Sequence, residues 1–211
     1  LEVTIKNEDQ NSFPFNIGWH PYFYSSNLSE SFLKFKSSKK LDLNEKMIPV
    51  KIENNYDLPE DTTLIFVANH QGMFDIPPII WKFRKHHPKF VSKVELGKGI
   101  PSISFNLRHG GAALINRKDS KQAIAELTAF AKKINTNKWS AVIFPEGTRS
   151  RNGQPKEFAV NGLKVLTKYN KEGFVVPLTI NNSWKVFKYG KFPLGIGSTI
   201  SIKTHEPIKI D

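Results

Sequence analysis

The sequence predicts an α/β layered domain with a mostly parallel central sheet and flanking helices, preceded by a short β-rich segment. Three observations predict it. From residue 61 onward, short unbroken apolar runs alternate with segments of helical character, the order that builds α/β layers. The runs Leu64-Ile65-Phe66-Val67-Ala68 and Ala141-Val142-Ile143-Phe144 have no polar side to turn to solvent, as strands covered on both faces require. Each of these two runs then passes into a polar turn, and parallel sheets carry their ligands at the carboxyl ends of their strands.

In chain order, residues 1–52 look β-rich. Leu1, Val3 and Ile5 alternate with polar residues, Asn7 to Asn11 is turn chemistry, and Phe13 to Trp19 is an aromatic strand ending at His20-Pro21-Tyr22-Phe23. Ser31 to Lys36 alternates again. This stretch resembles part of an aldose 1-epimerase, a galactose mutarotase-like β-sandwich. By that resemblance His20 matches the family's proton-donating histidine, while the catalytic glutamate lies in chain this sequence lacks. Some 52 residues of so large a sandwich bury too little surface to stand alone, so His20 is expected to be a remnant. Residues 53–60 are polar and linker-like, and the junction is expected there. The chain begins without methionine, from which a missing or trimmed upstream end is expected.

Residues 61–211 then form the second domain. Leu64–Ala68 is its first strand, and Ile76-Pro77-Pro78 opens a helix that Asp75 is placed to cap. Phe90 to Val94 and Ala112 to Ile115 are further strands. Asp119-Ser120-Lys121-Gln122 has the form of a capping box, opening a helix to about Asn135 with Ile124, Leu127, Ala131 and Ile134 on one face. Trp139 to Phe144 is a strand, Val160 to Tyr169 a helix and Phe174 to Ile180 a strand. Thr199 to Lys203 alternates like an edge strand.

Composition bounds the chemistry. Hydrophobic residues make up 39% and charged residues 24%, ordinary values for a packed domain. With no cysteine, disulfides, thiolate catalysis and cysteine-held metals are excluded. No apolar stretch is long enough to span a bilayer. Net charge is +12, and residues 1–52 hold seven Lys against six acidic groups, so the basic excess lies in the rest of the chain. Such a surface attracts anionic lipid headgroups or phosphates. Nucleic acid is not expected, because the motifs of its common binding modules are missing.

Four elements carry the chemistry. His70 follows a strand and precedes Asp75 by five residues, a spacing that lets the carboxylate hold one imidazole nitrogen while the other takes a proton. The alternative is that Asn69 and Asp75 only cap a helix. Phe144-Pro145-Glu146-Gly147-Thr148-Arg149-Ser150 gathers hydroxyls and guanidinium on a glycine turn, a phosphate cradle or else a solvated surface loop. Arg117 ends another strand. Pro177 interrupts a fourth, which predicts a sheet edge or a local opening.

In this order the four elements resemble the glycerolipid acyltransferase superfamily, most closely the 1-acyl-glycerol-3-phosphate acyltransferases, over about residues 61–205. Asn69-His70 with Asp75 matches the His-x4-Asp motif, Arg117 the second motif, Phe144–Ser150 the third and Pro177 the fourth. The resemblance implies that His70 and Asp75 are catalytic and that Arg117, Glu146, Gly147, Thr148, Arg149 and Pro177 serve substrate binding. It implies transfer of a fatty acyl group from acyl-CoA or acyl-ACP to a lysophospholipid acceptor, giving phosphatidic acid, with no metal or bound cofactor. It also implies a cytoplasmic protein, peripheral on the inner face of the cell membrane, with acyl carrier protein as a partner. Trp81, Phe83, Trp184, Phe187 and Phe192, interleaved with Lys82, Arg84, Lys85, Lys185, Lys188 and Lys191, form a candidate membrane-facing surface, or else ordinary core aromatics among solvated lysines. Members carry an N-terminal hydrophobic segment where this chain has its epimerase-like piece, and the chain ends soon after Ile208. The competing readings are an epimerase-related carbohydrate-binding fragment and a non-catalytic module for anionic lipid.

Overall fold

In the computed structural model, residues 50–99, 101–189, 195 and 198–211 are described. The chain divides into two units, Leu1–Phe35 and Lys36–Asp211, and all described residues belong to the second. His20, Lys191 and Phe192 lie outside the described residues.

The elements run β1 (Val50–Glu53), β2 (Leu64–Ala68), α1 (Ile76–Lys82), β3 (Pro88–Lys93), α2 (Pro101–His109), β4 (Ala113–Ile115), α3 (Ser120–Asn137), β5 (Ser140–Ile143), α4 (Asn161–Lys168), β6 (Phe174–Asn181), β7 (Ile200–Thr204) and β8 (Ile208–Lys209). The strands form one sheet in the order β1-β7-β6-β2-β5-β3-β4, with β8 also on β6. From β6 to β4 every neighbouring pair is parallel. β7 runs antiparallel to β6, and β1 lies parallel to β7. The sheet is therefore mostly parallel, as expected.

β2 and β5 are central, and their unbroken apolar sequences follow from cover on both faces. Leu64, Phe66 and Ala68 join Val142, Val176, Leu178 and Ile180 against Ile79 and Phe83 of the α1 region. Ile65, Ala141 and Ile143 face Leu127, Phe130, Ala131 and Ile134 of α3 and Leu166 of α4. Each large side chain so buried stabilises the fold by about 1.5–3 kcal/mol.

Four features differ from the sequence reading. β1 straddles the expected junction: Val50–Glu53 pair in register with Ile200–Lys203, and Leu58 is buried in the core, so part of the linker-like stretch is structural. β7 is an interior strand, because β1 covers its outer side; Ile200 and Ile202 are fully buried. Asp119 caps α3 by accepting from the amides of Lys121 and Gln122, but the Gln122 side chain bonds Asn116 and Leu114 instead of completing a capping box. Of the interleaved aromatics, Phe83 is core and Phe187 stacks on Phe74 at 5.6 Å, while Trp184 packs its indole against Gly153. Trp81 alone of the four described stands well out in solvent, at 70% exposure.

Candidate active site

The site is built at the carboxyl end of β2. Past Ala68 the chain turns, and Asn69 fixes the turn by closing a two-bonded clamp on β6: its Nδ2 donates to the Ile180 carbonyl at 2.8 Å and its Oδ1 accepts from the Ile180 amide at 2.7 Å. Gln71 ties the same turn to two more loops, accepting from the Ser183 amide and donating to the Gly153 carbonyl. Gly72 passes so close to Ser183 that a Cβ would lie 2.8 Å from its Oγ.

Asp75 does not cap α1. Its carboxylate, fully buried, points back into the turn, where Oδ2 accepts from the amides of Gln71 at 2.7 Å and Gly72 at 2.9 Å and lies 2.8 Å from His70 Nδ1. Since Oδ2 already serves as acceptor to two amides, Nδ1 is the donor in the third bond. In the neutral ring Nε2 of His70 is then the unprotonated nitrogen, with its lone pair available. The imidazole is further held by stacking on Phe144, ring centres 4.2 Å apart. His70 keeps 14% of its side chain accessible against none for Asp75, the arrangement of a base with a buried orienting partner.

The turn after β5 meets the turn after β2. Glu146 Oε1 accepts from the His70 amide at 2.8 Å, Oε2 accepts from the Lys156 amide at 3.0 Å, and the Ser150 amide donates to the His70 carbonyl at 2.7 Å. Glu146, only 9% exposed, is thus a brace that sets the height of the turn that carries His70. Gly147 has φ +69°, a left-handed conformation that a side chain would strain, and the Arg117 guanidinium lies where a Cβ would point, 3.2 Å from Nη1. Partial burial lowers the Arg117 pKa from the usual arginine value, with Glu95 opposing. Thr148 and Arg149 are exposed on the same loop. Pro177 sits in an interior strand opposite Val67, where β6 changes partner from β8 to β7. The sheet edge expected of it is not there: β2 pairs with it on one side, and its carbonyl accepts from the His205 amide.

A cavity of about 340 Å³ opens beside this turn, within the size range of small-molecule sites. Arg117 and Glu146 are among its polar lining, and Val91, Ile115, Leu127, Ile143, Phe144 and Val165 form its apolar wall. Phe144 lines the cavity with one part and supports His70 with another. Among the described residues no three metal-ligating side chains cluster.

A family model described as Acyltransferase matches residues 49–181. The chain belongs to the acyltransferase family. The chain is 33% identical over 127 residues to the 1-acyl-sn-glycerol-3-phosphate acyltransferase of Helicobacter pylori, covering 58% of this chain and 50% of that protein. It is 28% identical over 160 residues to a chloroplastic 1-acyl-sn-glycerol-3-phosphate acyltransferase of Arabidopsis thaliana, covering 75% and 43%. Its fold is similar to the crystal structure of PlsC, the 1-acyl-sn-glycerophosphate acyltransferase from Thermotoga maritima, with a TM-score of 0.58 and 29% identity over 76% of this chain and 61% of that one. The chain spans about half the length of the curated relatives it matches. A second model, Aldose 1-epimerase, matches residues 1–87 and so overlaps the acyltransferase match through the turn that carries His70 and Asp75.

The brace from Glu146, the Asn69 clamp and the Gln71 strut were not read from sequence in these roles. Asn69 is legible in the sequence as a motif neighbour of His70 or as a helix cap, and nothing local identifies Ile180 as its partner, 111 residues away.

Proposed function

We propose that this acyltransferase moves a fatty acyl group from an acyl thioester to the free hydroxyl of 1-acyl-glycerol 3-phosphate, forming phosphatidic acid. The observation that carries the reading is the His70–Asp75 pair, Nδ1 held at 2.8 Å, stacked on Phe144, which also lines a largely apolar cavity that Arg117 borders. Nε2 of His70 takes the proton of the acceptor hydroxyl as its oxygen attacks the thioester carbonyl. The tetrahedral intermediate then expels the thiolate, which recovers the proton from the imidazolium. Asp75 orients the ring and stabilises its charged form. Attack is direct in this reading, because the chain has no cysteine and no sequence motif marks a serine nucleophile.

In this reading Arg117 and Arg149 hold the acceptor phosphate, with Thr148 and the Gly147 turn beside them. Such anchoring fixes which hydroxyl faces His70 and supplies several kcal/mol through orientation. Glu146 supports His70 from beneath, and Pro177 keeps the neighbouring strand open at the level of the site. The apolar cavity receives an acyl chain. Acyl-CoA or acyl-ACP is the donor, and the protein works peripherally on the inner, cytoplasmic face of the cell membrane. The names of the relatives support the substrates, and the basic composition supports contact with anionic lipid. Among the described residues no helix is long and apolar enough to cross a membrane. We read residues 1–49 as an epimerase-like segment, on the strength of the second family match, with His20 as its remnant.

The test is product identification. Purified chain with radiolabelled acyl-CoA and lysophosphatidic acid yields phosphatidic acid, and glycerol 3-phosphate as acceptor yields far less. Free fatty acid alone as product, with acyl-ACP no better as donor, overturns the reading.

A further inference from the structure

We propose that the outward face of α1, running from Met73 through Pro77, Ile80 and Trp81 to Arg84, docks on an anionic bilayer and presents the catalytic turn to lipid. The proposal deepens the acyltransferase reading and rests on it for its purpose, though the docking itself does not.

A surface helix ordinarily turns apolar residues to the core and polar ones to water. The helix α1, Ile-Pro-Pro-Ile-Ile-Trp-Lys, has no polar residue before Lys82. Its inner face is complete: Ile79 is 0% and Phe83 2% exposed, packed in the core with Ile76. Among the described residues the outer face has no such cover. Trp81 is 70%, Ile80 45% and Met73 45% exposed, at the spacing of one helical stripe with Pro77 and Arg84. A helix apolar on both faces belongs where both faces meet an apolar medium.

Charge selects the medium. From Ile76 to Val94 the chain carries five Lys or Arg residues and no acidic one. Arg84 folds over the Trp81 ring at 4.7 Å and donates from Nη1 to the Trp81 carbonyl at 2.8 Å. The pair therefore presents an indole body beside a cation, the chemistry that settles at the headgroup level of a membrane. Lys82 and Lys85 flank it, Lys85 also reaching Glu60 across the surface at 3.2 Å. Apolar side chains at the centre with cations at one end fit a flat anionic bilayer better than an acidic protein, whose surface offers the apolar centre nothing. The stripe also begins inside the catalytic turn, because Met73 lies between His70 and Asp75. A bilayer against α1 would hold the acceptor's headgroup at the height of His70.

The test is co-sedimentation of the full chain with vesicles of phosphatidylglycerol and phosphatidylcholine in equal parts, then with phosphatidylcholine alone. The parent sediments with the first, weakly with the second, and less as salt rises. The double variant Ile80→Ser/Trp81→Ser, on solvent-facing positions, melts like the parent and binds the anionic vesicles about tenfold more weakly or worse. Lys82→Gln/Arg84→Gln, which keeps the apolar centre, also loses about tenfold or more. Vesicle binding equal to the parent in both variants overturns the proposal, as does a parent that binds an acidic carrier protein through these residues and leaves vesicles alone. Acyl transfer to a short-chain lysophosphatidate dissolved as monomer separates the two readings. Product there without vesicle binding removes the docking face and keeps the acyltransferase. Vesicle binding lost in both variants, with no acyl transfer by any chain, does the reverse.

Discussion

The main-chain amide of His70 donates to Oε1 of Glu146 at 2.8 Å, so the turn that follows β5 holds up the turn that follows β2. The residue that would take the substrate's proton is positioned by a carboxylate 76 residues further along the chain, which also anchors the Lys156 amide. Changing Glu146 to Ala leaves two such amides without partners, at roughly 1–3 kcal/mol each. Glu146→Ala therefore lowers the melting temperature by several degrees and the turnover number at least tenfold, and Glu146→Gln, which keeps one acceptor oxygen, recovers part of both. Thermal melts with steady-state kinetics check this.

Asp75 holds the imidazole tautomer. In Asp75→Asn the amide retains one oxygen for the two main-chain donors but loses the charge that stabilises the imidazolium. Turnover falls by about 10²–10⁴ with the Michaelis constant for lysophosphatidic acid little changed. A raised Michaelis constant with turnover unchanged would show that Asp75 acts on binding instead.

Arg117 and Gly147 form one contact, the guanidinium lying where a Gly147 side chain would go. Arg117→Ala raises the Michaelis constant for the phosphate-bearing acceptor about tenfold or more, and Arg117→Lys restores only part, because a single ammonium cannot repeat the bidentate grip. Gly147→Ala produces a similar defect by strain and displacement of Arg117, without removing any charge.

The wall of the cavity contains Gly162 of α4, where an added Cβ would come within 2.9 Å of the Ile143 Cδ1 atom, the movable end of a side chain. Gly162→Leu fills the cavity at that point. The variant favours shorter acyl chains, read by competing donors of different length in one reaction.

His86 is buried, with Nδ1 lacking a hydrogen-bond partner among the described residues. Burial lowers its pKa, Glu60 opposing and Lys85 and His87 adding to the shift. A histidine whose folded pKa lies below its unfolded value binds more protons when unfolded, so stability falls as pH drops through the ordinary histidine range near 6.5. His86→Gln flattens that part of the stability–pH curve, measurable by denaturant unfolding across it.

Much of this site was legible in the sequence because its signals are local. The five-residue spacing of His70 and Asp75, the apolar runs of β2 and β5 and the Pro-Glu-Gly turn each depend on neighbours in the chain. The parallel sheet follows from the same runs. What was not legible depends on distant partners. β1 is four residues long and is a strand only because β7 lies beside it, some 150 positions later. β7 alternates like an edge strand and is interior for the same reason. Asp75 at a helix start reads both as a cap and as the partner of His70, and the fold of the turn decides between the two by aiming the carboxylate at His70. Trp81 and Phe83 look alike in sequence, two residues apart, yet one faces solvent and the other the core.

The central claim is that His70 is the base. Single-turnover acyl transfer by His70→Ala, with lysophosphatidic acid binding measured on the same sample by calorimetry, tests it most directly. The account predicts binding within a few-fold of the parent and a rate lower by about 10³ or more. A variant that transfers the acyl group at the parent's rate would contradict it.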